Sequence, residues 1–230
     1  MPTPRSCDAI VARLKKIATK YTLEGMTRYG IPNDNAFGVS VKDLQIEAKK
    51  IGRDHALALE LWKTGWYEAR MLCCFIDEPA AVTPKQMDSW CKDFDSWAIC
   101  DTACFHLFDR TPYAFEKIGK WAPKKEEFIR RAAFALLASV ALHDKKAEDN
   151  AFLECIPLIE AASQDARNFV KKGVSWALRG VGRRNKVLHQ ACSALANKLA
   201  TSKHSTERWI GKDVLKDITR PMVLKRIQGK

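Results

Sequence analysis

Helix start and stop signals recur along the whole chain, and no segment between them shows the two-residue alternation of a half-buried strand. That combination restricts the fold to an all-α one. Ile10, Val11, Leu14, Ile17 and Ala18 share one helical face, and a breaker-rich stretch follows at Gly30-Ile31-Pro32-Asn33-Asp34-Asn35. Ser40 with Asp43 reads as a capping pair opening a helix that Gly52 ends, and Asp54 caps the next, which closes near Gly65. A helix over 66–76 is stopped by Pro79. Thr83-Pro84 then supplies a cap and a first-turn proline, and Asp95 or Ser96 starts a helix running from Trp97 to Phe108. Further helices are expected over 112–120, 125–142, 147–161, 165–181, 184–199 and 206–217. About twelve helices, paired roughly every 35 to 45 residues, predict a HEAT- or armadillo-like solenoid of about six antiparallel pairs. Residues 1–230 are read as one such domain, with 1–217 as the helical array and 218–230 as a mobile basic tail.

Charge is distributed unevenly. Residues 1–115 hold 15 Lys+Arg against 15 Asp+Glu, so the whole net charge of +12 falls in residues 116–230, which hold 24 against 12. A basic half of this kind attracts a polyanion, because each neutralised phosphate releases a condensed counterion. Nucleic acid is the partner this favours, and a solvated face that only aids solubility is the alternative. Apolar residues at 47% and charged ones at 29% are ordinary globular usage, and no run approaches the ~20 uncharged apolar residues of a membrane span. Asp8, Arg13, Lys15 and Lys16 interrupt any signal-peptide core, so a cytoplasmic protein without a membrane partner is expected. The eight cysteines at 7, 73, 74, 91, 100, 104, 155 and 192 lie in apolar helical stretches and read as reduced, buried thiols. Cys91, Cys100, Cys104 and His106 lack the close paired spacing of a zinc site, so no metal is expected.

Three segments carry chemistry. Trp97 and Asp101 are four residues apart and share a helical face, with Cys104 and Phe108 continuing it. A carboxylate in an apolar seam needs a compensating partner, which leaves a functional Asp or a structural one paired with a cation. Trp176, Arg179 and Arg183 fall at i, i+3 and i+7, joining one indole to two guanidinium groups on an edge suited to phosphate. The alternative is a core Trp with snorkelling arginines. Arg130 and Arg131 precede the apolar run Ala132-Ala133-Phe134-Ala135-Leu136-Leu137, so at least one is expected to leave the helix surface. Positions 101, 131 and 176 are spaced so that a solenoid could set them along one concave wall.

In order and register, these segments resemble the AlkD family of DNA alkylation repair glycosylases, HEAT-like repeat proteins that excise positively charged alkylpurines from duplex DNA. Trp97-Ala98-Ile99-Cys100-Asp101 is similar to the family's Trp-x-x-x-Asp, Arg131-Ala132-Ala133 to its Arg-Ala-Ala helix, and Trp176-Ala177-Leu178-Arg179 to its Trp-x-x-Arg. Met26-Thr27-Arg28-Tyr29 is also similar, and the resemblance runs from about residue 10 to 200. It implies that Asp101 is catalytic, that Trp97 and Trp176 contact the lesion's deoxyribose, and that Arg131 and Arg179 hold phosphate. Arg130, Arg183 and Tyr29 are further DNA-binding candidates. It also implies chemistry on the sugar while the base stays in the duplex, with no metal or organic cofactor. Duplex DNA containing alkylated bases is the implied partner, and a monomer suffices. The loop after Tyr29 and the basic tail depart from the family pattern.

Overall fold

The computed structural model describes residues 6–228, which form fifteen α-helices and two 3-10 turns, with no strand among them. They divide into two compact units, one ending at Thr111 and the other beginning at Pro112. No charged residue lies between 112 and 115, so the boundary also separates the neutral half of the sequence from the half with the +12 surplus.

The first unit holds α1 (Cys7–Ile17), α2 (Lys20–Arg28), α3 (Val41–Ile51), α4 (His55–Lys63), α5 (Tyr67–Ile76), α6 (Pro84–Lys92) and α7 (Trp97–His106). The local signals account for most of their ends. Ser40 Oγ accepts from Asp43 N at 3.2 Å and donates to Asp43 Oδ2 at 2.6 Å, and Gly52 closes α3 at φ 77°. Asp54 Oδ1 and Thr83 Oγ1 cap α4 and α6 in the same way. Within the unit α5 packs on α3, α4 and α7. Met71, Leu72, Cys73, Cys74 and Ile76 are all sealed, because an α5 flanked on several sides must be apolar around most of its circumference.

The second unit holds α8 (Ala114–Trp121), α9 (Glu127–His143), α10 (Asp149–Leu153), α11 (Ile156–Ala161), α12 (Asn168–Gly182), α13 (Lys186–Ala200), α14 (Ser205–Ile218) and α15 (Pro221–Gln228). Its centre is α9, whose residues from Arg131 to Ala141 are all buried. Small residues let α12 approach it closely: a Cβ on Gly180 would stand 3.4 Å from Ala138 Cα, and one on Gly173 3.6 Å from the Phe134 Cβ. The other neighbours of α12 are α11, α13 and α14.

Three expectations need correction. The helix expected over 147–161 is two helices, α10 and α11, broken beside Pro157, which has no N–H to donate to the preceding turn. The helix expected from residue 165 starts at Asn168, because Asp165 is occupied as an acceptor for Arg130 and Arg167. Within the stretch set aside as a mobile tail, Pro221–Gln228 form α15, which packs on α13 and α14 with Ile227 buried, and residues 229–230 lie outside the described residues.

Candidate functional site

In the first unit α7 presents Trp97 and Asp101. Ala98, Ile99, Cys100, Ala103 and Cys104 face the interior, whereas Trp97, Asp101 and Phe105, each one turn apart, are half-buried along the outer face. The sequence placed Asp101 on a seam with Cys104 and Phe108. Both of those are fully buried, and Phe108 lies beyond the helix in a 3-10 turn over Phe108–Arg110. Asp101 therefore lies to the side of the apolar seam and retains solvent contact, which spares it the full desolvation cost of a buried charge.

The Trp97 indole is pinned. Its Nε1–H donates to the Tyr29 carbonyl at 2.8 Å, and its ring packs on a small core of Met26, Ile31 and Ala98. It is the backbone of Tyr29 that makes this contact, while the residue as a whole is 68% exposed. The loop that follows is held by Glu68, a wholly buried carboxylate that accepts from Phe37 N, Gly38 N and Val39 N at 2.9, 2.7 and 3.2 Å. Only glycine fits at position 38, where φ is 95° and a Cβ would stand 2.4 Å from the Thr19 carbonyl oxygen. Lys15 reaches over the Phe37 and Trp66 rings at 5.3 and 5.2 Å and covers the loop from outside. Glu68 was missed in the sequence, since a lone Glu in a helix reads as a solvated residue.

In the second unit Trp176, Arg179 and Arg183 come together as their spacing predicts. They line one groove of about 900 Å³. Sequence reasoning did not place Lys145, Lys216, Arg220 and Arg226 there, although the charge count pointed to this half. With Arg184 the groove carries seven cationic side chains against two carboxylates, Asp213 and Asp217, so it is electropositive even with both acids ionised. Arg179 Nη1 donates to Ser175 Oγ at 2.8 Å and to Asp213, and Arg183 pairs with Asp217.

Arg130 and Arg131 are not in this groove. Arg130 donates to the Ala122 carbonyl at 3.0 Å and to Asp165 at 2.9 Å. Arg131 is 6% exposed and donates to the Phe169 carbonyl at 2.5 Å, with its guanidinium 6.0 Å from the Phe169 ring. The expectation that at least one of the pair would leave the helix surface is not met: Arg131 is buried against α12 and Arg130 is half-buried against the end of α8 and Asp165, because carbonyl and carboxylate oxygens there offer charged donors strong bonds. The hydrogen bonds from Arg167 and then Arg130 hold the Asp165 carboxyl at about 2, well below the usual carboxylate range. Among the described residues no His, Cys, Asp and Glu cluster could hold a metal ion, and no helix is long and apolar enough to cross a membrane.

Helix-only units with an acidic, tryptophan-flanked face in one and a basic groove in the other are built as HEAT-like repeats. A solved structure described as "a new family of proteins related to the HEAT-like repeat DNA glycosylases with affinity for branched DNA structures" superposes with a TM-score of 0.75 at 18% identity, covering 92% of this chain and 94% of that one. The family described as "DNA alkylation repair enzyme" matches residues 10–214, and the chain belongs to that family. A designed armadillo repeat protein in complex with peptide (KR)4 overlaps more loosely, with a TM-score of 0.37 at 13% identity over 82% of this chain and 79% of that one. No curated protein matches the sequence.

Proposed function

We propose that the chain excises purines alkylated at N3 or N7 from duplex DNA by hydrolysing the N-glycosidic bond. The observation that carries this reading is the outer face of α7, where a half-buried carboxylate stands one turn from an indole fixed by the Tyr29 carbonyl. Membership of an alkylation repair family supports it.

The chemistry needs little more than this. Ordinary glycoside hydrolysis uses two carboxyl groups, one of which protonates the leaving oxygen. A purine already made cationic by alkylation leaves as a neutral base, so no general acid is required. Asp101 stabilises the positive charge that develops on the deoxyribose and orients the attacking water. Trp97 offers a π-face to that cationic sugar, worth ~0.5 to 2 kcal/mol according to desolvation, and Trp176 offers its indole to the strand held in the groove of the second unit. Arg179 and Arg183 hold backbone phosphates in the groove of the second unit, where a planar guanidinium makes two-point bonds. Tyr29 contributes its exposed ring to the DNA side of the loop. Arg130 and Arg131 act on DNA indirectly, by fixing α9 and the turn before α12. A monomer in the cytoplasm suffices for this activity.

A second reading is favoured by the related protein described as having affinity for branched DNA: a noncatalytic DNA-binding module. Incubation of the purified chain with methylated duplex separates the two. Release of free 7-methylguanine supports the glycosylase, whereas duplex or branched-DNA binding without base release establishes the binding module.

A further inference from the structure

The groove of the second unit is occupied by its own acids. Asp213 and Asp217, both on α14, follow Arg179 of α12 and Arg183, which caps its C-terminus, by 34 residues each. Equal offsets mean that α12 and α14 run in the same direction there, so the two ion pairs stack one helical turn, about 6 Å, apart. Two carboxylates in this arrangement present the arginines with a short anionic ladder, as successive phosphates of a strand would.

The inner rung is clustered: Ser175 Oγ donates to Asp213 at 2.6 Å, and Arg179 contacts both. The outer rung is incomplete. Arg183 reaches Asp217 through Nη2, while Arg183 Nε and Asp217 Oδ2 are buried with no hydrogen-bond partner. The outer pair is thus held by one hydrogen bond, where a two-point fork on the guanidinium becomes possible to a phosphate only once Asp217 has moved aside. Each acid also keeps a second partner to fall back on. Asp213 has the Ser175 hydroxyl, and Asp217 has Arg220 at 3.6 Å.

We propose that Asp213 and Asp217 are built-in competitors for DNA phosphate, occupying Arg179 and Arg183 until two backbone phosphates displace them. This rests on the reading of the groove as a DNA site and adds its regulation. The acids keep the arginines ordered and set the affinity that an incoming strand must exceed, so isolated anions are screened out and a continuous backbone is not.

Anisotropy titration of an undamaged, end-labelled duplex at fixed salt tests this. Asp213→Asn and Asp217→Asn each tighten binding by about threefold to tenfold. Glu160→Gln makes the same charge change at the exposed pair with Lys198 outside the groove, and alters binding by less than about twofold. In an Arg179→Ala background the gain from Asp213→Asn disappears. If both asparagine variants bind no tighter than Glu160→Gln, or more weakly, the acids orient the arginines and the competition is refuted, while the DNA site stands. If the wild-type chain binds no duplex even at low salt, the reading of the groove falls and the inference with it.

Discussion

Replacing Glu68 by Ala removes the anchor of the loop that follows Tyr29. The carboxylate is 0% exposed and is the acceptor for the N–H groups of three consecutive residues, Phe37, Gly38 and Val39. Removing it leaves three donors in a site that water reaches poorly, and each orphaned donor costs ~1 to 3 kcal/mol. Relief of the carboxylate's own desolvation offsets part of this, so the lower end of the range applies and the net loss is about 3 kcal/mol. At ~2 to 4 °C per kcal/mol for a chain of this size, the midpoint of thermal unfolding falls by about 6 to 12 °C. Glu68→Gln keeps one oxygen at the position of Oε1 and loses about half as much. Circular dichroism melts of the three proteins give the comparison. A loss below about 2 °C for Glu68→Ala would show that the loop keeps its conformation without the carboxylate.

Gly211→Ala places a Cβ 2.3 Å from Ala200 N and 2.6 Å from the Ala196 carbonyl oxygen, so α13 and α14 must separate; urea unfolding is expected to show a loss of ~1 to 3 kcal/mol or more. The bonds from Arg167 and Arg130 depress the Asp165 pKa to about 2, and a depressed carboxylate contributes stability above its unfolded value that is lost as pH falls through the folded one. The stability difference between wild type and Asp165→Asn is therefore expected to persist at pH 7 and to shrink between about pH 4 and pH 2, as melts across that window would show. Burial pushes the Cys155 thiol up to about 11 and the Cys192 thiol up to about 12, and Cys7 is the one cysteine that is not buried. An aromatic disulfide reagent is expected to modify one thiol rapidly in the native chain and seven more only on unfolding; rapid modification of several would contradict the packing.

Local signals made most of the helices legible in the sequence. Ser40 with Asp43, Asp54, and Thr83 with Pro84 act on backbone groups within three residues of themselves, so a cap can be read without knowing the tertiary structure. The face of Trp176, Arg179 and Arg183 was legible for the same reason, since helical spacing alone places the three together. What failed depended on partners distant in the chain. Arg131 turns inward because of a carbonyl 38 residues on, and α15 is ordered because Ile227 finds cover on α13 and α14. The position of Asp101 beside the apolar seam depends on how α7 is rotated against its neighbours, and α5 is among the helices that set it. Glu68 and the two acids of α14 likewise carry no local mark, because their roles are defined by backbone and guanidinium groups 29 to 34 residues away.

In the proposed reaction one carboxylate on α7 drives removal of a cationic base. Single-turnover release of 7-methylguanine from methylated duplex by Asp101→Asn, set beside the variant's affinity for the same duplex, tests it most directly. Release is expected to be at least ~10²-fold slower, with affinity unchanged or slightly higher. Release at the wild-type rate would contradict it.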